Sequence, residues 1–199
     1  MPRAAATNVA IREAARARIL EGSIAVFSRK GFHAATMDDV AASAGVSKGL
    51  AYFYFKGKDE LLSRALQERV AHLFETGQGL DDDAPPGDRL AALVEGLLSR
   101  VRREPDSFRL YLSMSLDKSL SGAAIRALRN LQGPLQRYFE KARRIFEDLG
   151  SPDHALDALI FRSSLLGIFL RFVRAIEDVP VERLCARLVD LFRNKSEAA

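Results

Sequence analysis

The chain has 199 residues, 48% of them hydrophobic, with no tryptophan, a single cysteine and a net charge of +4. That length supports a small domain attached to a larger one, or one good core. The lone Cys185 excludes an intrachain disulfide and any multi-cysteine metal site.

Alanine, leucine and arginine dominate the composition, which favours helix over sheet. No apolar signal core follows Met1-Pro2-Arg3. The longest apolar run, residues 155–173, is interrupted by Asp157, Arg162 and Arg171, which argues against a membrane span. The expectation is a soluble, cytoplasmic protein that does not engage a membrane. Charge is unevenly placed. Residues 1–58 carry nine Lys/Arg against four acids, a balance of +5, so the remainder sums to −1. A basic N-terminal segment is the footprint of a module that binds a polyanion.

In chain order, residues 1–9 are Ala-rich without periodicity and read as a frayed arm. Residues 11–30 form a first helix whose inner stripe is Ile19, Leu20, Ile24 and Phe27. Gly31 ends it, and Phe32 turns back onto the core. Thr36 with Asp39 three residues later opens a short helix to Ala44 as an approximate capping box. Gly45 supplies the left-handed residue of a tight turn. Ser47 caps a second short helix to about Phe55. Two short helices with this punctuation are a helix-turn-helix, which lays its second helix in the DNA major groove.

At 100° per residue, Lys48, Gly49, Tyr52 and Phe53 share one face of that second helix, and Leu50, Ala51, Tyr54 and Phe55 the other. The second set is bulkier and mostly apolar, so it packs inward. A glycine on an outer helical face costs about 1 kcal/mol against alanine. It is reasonable where another backbone must come close.

Ile19-Leu20, Phe27, Gly31-Phe32, Thr36, Val40-Ala41, Ala44-Gly45-Val46-Ser47, Gly49, Tyr52, Tyr54-Phe55, Lys58 and Leu61 stand at fixed spacings over residues 12–62, about a quarter of the chain. In this the sequence resembles the DNA-binding signature of the tetracycline-repressor (TetR) family. It departs from that pattern at Gly22-Ser23, where an Ala-Ala pair is usual, and at Ala51, where a larger aliphatic is usual.

Beyond the motif, Gly57 stands at the N-cap of a helix reaching about Thr76. Residues 77–87, GQGLDDDAPPG, are a surface loop. Asp88 caps a helix to Arg103, and Pro105 opens another to Leu116. Residues 123–149 are helical with a break or kink at Gly133-Pro134. Gly150-Ser151-Pro152 separates this from a long helix over 152–177, and a last helix covers 180–194. No stretch alternates long enough to be a strand. The fold class is therefore all-α: an N-terminal three-helix DNA-binding domain (residues 1–57) with its helix-turn-helix, and a larger C-terminal bundle (residues 58–199).

The 152–177 helix is apolar on nearly all sides, and Ser163 and Gly167 would let another helix approach closely. The last helix adds Val181, Leu184, Leu188, Leu191 and Phe192. A homodimer through these two helices would bury the surplus, and the resemblance implies the same dimer. Matched by position, Thr36, Ser47, Lys48, Gly49, Leu50, Tyr52, Tyr54 and Lys58 are the candidate DNA-binding residues. Thr36 and the amides after it would hold a phosphate, and Ser47 caps the reading helix. Lys48, Gly49 and Leu50 would approach base edges, Tyr52 and Tyr54 would offer hydroxyls to phosphates, and Lys58 would clamp the flanking backbone.

The resemblance further implies a small-molecule pocket within residues 88–177. Candidates are Phe108, Tyr111, Met114, Tyr138, Phe161 and Arg162, of which Arg162, a cation among apolar neighbours, needs an anion if buried. The function expected is a transcriptional repressor on a palindromic double-stranded operator, released by a small-molecule effector. Competing readings are a ligand-dependent activator and a non-specific DNA-binding protein. Nothing points to an enzyme, a cofactor or a metal: His33, His72 and His154 are far apart and no nucleophile or phosphate-loop motif occurs.

Overall fold

The computed structural model describes residues 2–75, 81–174 and 180–193, with side chains from Val9 onward. Its regular structure is entirely helical among these residues. We number the helices α1 (Pro2–Lys30), α2 (Met37–Ala44), α3 (Lys48–Tyr54) and α4 (Lys58–Ala65), then α5 (Pro86–Arg103), α6 (Pro105–Leu116), α7 (Gly122–Asp148), α8 (His154–Arg174) and α9 (Val181–Arg193). After α4 the chain continues through a π-helical stretch, Leu66–Val70, and a last turn, Ala71–Leu73. The expected ends of the linking helix at Thr76, of the long helix at Glu177 and of the last at Asn194 lie outside the described residues.

Four features differ from the sequence reading; one is that the long helix opens at His154 rather than Pro152, with Asp153 Oδ1 accepting from the Leu156 amide at 3.0 Å. The supposed arm is helical from Pro2. Proline suits the first turn and the following alanines are strong helix formers. Val9 and Ile11, the first apolar side chains described, are both exposed. Asp88 is not a cap: the helix starts two residues earlier, with Pro85 as N-cap and Pro86 in the first turn. There the Asp88 carboxylate complements the helix dipole instead. Finally, α7 runs unbroken through Gly133 with Pro134 inside it.

The residues gather into two compact units, one of residues 1–71 with 106–131, the other of 72–105 with 132–199. In the first, Ile19, Phe27, Val40, Ala51, Leu61, Leu62, Leu66, Val70, Leu110 and Ala124 are fully buried. In the second, Phe146, Phe161 and Phe192 form an aromatic cluster with ring centroids 4.9–6.0 Å apart. Its edges are pinned by Arg89 on Asp148 (2.6 Å) and Arg193 on Asp88 (2.8 Å).

Candidate nucleic-acid interface

The helix-turn-helix is built by local chemistry. Thr36 Oγ1 accepts from the Asp39 amide (3.1 Å), and the Asp39 carboxylate accepts from the Thr36 amide (3.0 Å), completing the capping box. Lys30 Nζ lies 2.5 Å from the same carboxylate. Together, the Lys30 contact first, these bonds hold the Asp39 pKa down at about 2. Gly45 sits at φ 63° and its backbone closes α2 onto Ala41 and Ala42. Only glycine takes that conformation without cost. Ser47 Oγ accepts from the Leu50 amide at 3.2 Å and starts α3.

Helix α2 lies close against α1 because Gly22 leaves room. A Cβ at Gly22 would come within 3.0 Å of the Ala44 nitrogen. The adjoining Ser23 is fully buried and donates to the Leu20 carbonyl at 2.6 Å, so its hydroxyl is satisfied within the helix.

The two faces of α3 separate as the pattern predicts. Ala51 and Phe55 are buried, and Leu50 and Tyr54 are half-buried. Lys48, Gly49, Tyr52 and Phe53 are exposed. A Cβ at Gly49 would meet nothing within 4 Å. Phe53 is the residue that sequence reasoning placed on this face but gave no role. It is 73% exposed, braced edge-to-face on Tyr54 at 5.2 Å. A large aromatic on the outward helical face was the available signal.

Two of the candidate cations are already engaged. Lys48 Nζ lies 2.9 Å from Asp38 Oδ1, which raises the lysine pKa. Both partners are well exposed, so the pair is weak and exchangeable. Lys58 is held more firmly: its ammonium donates to the Phe32 (2.9 Å) and His33 (3.1 Å) carbonyls and sits 4.9 Å from the Phe32 ring centroid. It ties the start of α4 to the turn after α1. Arg16 adds a bidentate bond to Glu68, at 2.5 and 2.8 Å.

The 117–121 loop reaches the same place. His33 Nε2 lies 2.9 Å from Asp117 Oδ2 and 3.0 Å from Ser119 Oγ, and Ser121 Oγ donates to Asp59 at the head of α4.

Of the candidate ligand contacts, Phe108, Tyr111 and Met114 belong to the first unit and Tyr138, Phe161 and Arg162 to the second. Phe108, Met114, Tyr138 and Phe161 are buried, and Tyr111 is half-buried. Burial pushes the Tyr138 hydroxyl pKa far up, and it donates to the Leu93 carbonyl at 3.3 Å. Arg162 is exposed rather than buried, with its guanidinium 5.2 Å from the Phe139 ring centroid. It therefore needs no internal anion. Among the described residues no cluster of metal-ligating side chains occurs, and no helix is long and apolar enough to cross a membrane.

Residues 19–65, the segment just described, match the family model for "Bacterial regulatory proteins, tetR family". The chain is 35% identical over 100 residues to the HTH-type transcriptional activator FasR of Mycolicibacterium smegmatis, covering 50% of this chain and 46% of that protein. It is 39% identical over 98 residues to the HTH-type transcriptional repressor SCO4008 of Streptomyces coelicolor, covering 49% and 48%. The match thus spans just under half the length of each relative. The fold as a whole is similar to that of a putative transcriptional regulator from Saccharomonospora viridis solved in complex with choline. There the TM-score is 0.73 at 21% identity, over 90% of this chain and 95% of that one.

Proposed function

We propose that the chain, whose residues 19–65 match the tetR family model, is a DNA-binding transcriptional regulator of that family, working as a homodimer on a palindromic operator. The observation that carries this reading is the outer face of α3. Lys48, Gly49, Tyr52 and Phe53 stand exposed beside a backbone fixed by two side-chain caps. A cation, a bare backbone and two aromatic edges are what a base edge, a close groove wall and a sugar-phosphate strand accept. Leu50 sits at the rim of this face, and the half-buried Tyr54 ring stands perpendicular to Phe53. Lys58 contributes by holding α4 in place, with the α4 N-terminus offered to a flanking phosphate.

Dimerisation follows from α8 and α9. Leu156, Leu159, Ile160, Leu166 and Leu170 of α8, with Leu184 and Leu191 of α9, are all more than a third exposed. Ser163 and Gly167 lie open on the same helix, and a Cβ at Gly167 meets nothing within 4 Å. An apolar surface of this extent supports an interface between two copies, and a two-fold pair would read two half-sites.

Regulation by a small molecule is the remaining part of the reading. Phe108 and Met114 are core residues of the same unit as the DNA-reading helices. The loop after α6 bonds directly to His33 and Asp59. A ligand that shifted α6 would therefore pull on α4 and alter half-site spacing. Repression is the favoured outcome; FasR, a named activator, keeps ligand-dependent activation as the second reading.

The test is a gel-shift titration, at fixed salt, on a palindrome taken from beside the protein's own gene against random duplex. Specific retention is expected, with Lys48→Ala and Tyr52→Ala each losing roughly 1–3 kcal/mol. Equal affinity for random DNA, or unaltered binding by both variants, would reject the docking.

A further inference from the structure

The loop between α6 and α7 makes a closed set of polar contacts with the turn after α1, centred on Asp117. That side chain is only 20% exposed, and its carboxylate is met on both oxygens. Oδ1 accepts from the Ser119 amide (2.8 Å) and from the Ser119 hydroxyl (2.6 Å). Oδ2 lies 2.9 Å from His33 Nε2, which also stands 3.0 Å from Ser119 Oγ. The one hydroxyl hydrogen of Ser119 is given to Asp117, so its oxygen can only accept from the imidazole. Both His33 contacts therefore need a proton on Nε2. A second ring proton, at Nδ1, leaves this geometry intact and makes the donor charged, which roughly doubles the strength of such a bond.

The other charged groups around His33 are engaged elsewhere. From α4, Lys58 directs its ammonium to the His33 carbonyl at 3.1 Å, a like charge that works against ring protonation, and Asp59 takes the Ser121 hydroxyl. From α1, Lys30 is turned to Asp39 of α2 at 2.5 Å, and Arg29 Nε to the Ala25 carbonyl at 2.9 Å. Lys118 stands exposed beside Asp117 in the chain. Asp117 keeps its charge in mild acid, because the Ser119 hydroxyl, then the Ser119 amide and His33, hold its carboxyl below the ordinary carboxylate range. Imidazoles gain charge between about pH 8 and pH 5, where that carboxylate stays ionised. An ion pair here is complete at the acid end and is lost as the pH rises. The same loop is anchored at its far end: Leu120 is buried, and Ser121 Oγ accepts from the Ala124 amide (3.3 Å) while donating to Asp59 at the head of α4.

We propose that His33, Asp117 and Ser119 form a pH-responsive latch, which clamps the α6–α7 loop onto the turn after α1 when His33 is charged and loosens it when the ring is neutral, and that operator binding follows its state. The latch rests on the fold alone. Its effect on DNA rests on the reading of α3 as the DNA reader.

The full chain, Asp117→Asn, His33→Gln and the double variant are melted at about pH 5.5 and about pH 8. Asparagine keeps the shape of Asp117 and its capacity to accept from Ser119 and His33, so the comparison isolates charge. Asp117→Asn is expected to lower the melting temperature at least twice as far at the acid pH as at the alkaline one. In the His33→Gln background the same substitution should cost the same at both. A cost of Asp117→Asn that ignores pH, or a pH dependence that survives His33→Gln, would overturn the latch. Operator affinity is then read at the two pH values and fixed salt, where both single variants should lose the same part of the wild-type pH response, about threefold. If Asp117→Asn keeps what His33→Gln loses, His33 acts on phosphate directly and the latch does not govern DNA binding; loss in neither variant overturns that claim as well. A wild type that binds no DNA refutes the regulator reading instead, and the melting cycle alone then decides the latch.

Discussion

At Gly49 a demand of folding and a demand of the proposed DNA contact pull in opposite directions. Nothing in the free protein approaches the place where its Cβ would be. By helix propensity alone, alanine there should gain up to ~1 kcal/mol. If a duplex approaches that backbone, the methyl group must collide with it. Gly49→Ala is therefore expected to melt no lower than the wild type while binding the operator at least tenfold more weakly. Thermal denaturation beside a gel shift checks both halves, and unchanged DNA affinity would remove the close approach. Asp39 makes the opposite case, a residue whose charge serves the fold. Its pKa is about 2 when folded against an ordinary 3.8. A carboxylate depressed in the folded state contributes stability that is complete above its unfolded pKa and lost as pH falls through the folded one. The capping box should accordingly hold above about pH 4 and fail on the way down to about pH 2. Melting temperatures of wild type and Asp39→Asn should then differ at pH 5 and converge toward pH 2; a constant gap would show that the charge is not what the cap uses.

Among the elements, those governed by neighbouring residues were readable and those governed by distant packing were not. The caps at Thr36 and Ser47, the left-handed turn at Gly45 and the split faces of α3 all follow from residues within a few positions, and the structure has each of them. The start of α1 was hidden because the Ala-rich sequence of residues 2–9 carries no hydrophobic period. The π-helical Leu66–Val70 stretch, with Leu66 and Val70 buried, has no composition that sets it apart from an α-helix. Exposure of Arg162 was equally invisible, since it depends on which side of α8 meets Phe139. Gly22 shows how a departure from a family pattern gains a reason from coordinates. Alanine at this position would be the better helix former, but its methyl would sit 3.0 Å from the Ala44 backbone nitrogen and 3.2 Å from the Ala44 Cβ. Backbone yields less readily than a flexible side chain, so α2 would have to move. Gly22→Ala should destabilise the protein by about 1–2 kcal/mol through overpacking, in excess of its propensity gain. Chemical denaturation would register this as a lower midpoint; a higher midpoint would mean α2 can shift freely.

On the scale of the whole molecule, one recognition helix is not enough. A seven-residue helix offers a few base contacts, and each good contact discriminates by only about 1–3 kcal/mol. Joining two readers makes the second binding event intramolecular and can add a factor of about 10²–10⁴ in affinity without any new contact. In the proposed dimer that gain would depend on the open apolar face of α8 and α9, where Ile160 and Leu170 are 45% and 37% exposed. Arginine at both positions would place two unpaired charges inside a face-to-face contact, while in the isolated chain the same side chains would extend into water. Ile160→Arg with Leu170→Arg is thus expected to sediment as a folded monomer and to lose at least a hundredfold in affinity for the palindrome. Its affinity for a single half-site should match that of the wild type, because α3 is untouched. Sedimentation velocity and paired gel shifts on full and half operators separate these outcomes. A variant that remained dimeric would move the interface to another face, and one that became monomeric yet bound the palindrome as tightly as before would mean the two readers never acted together.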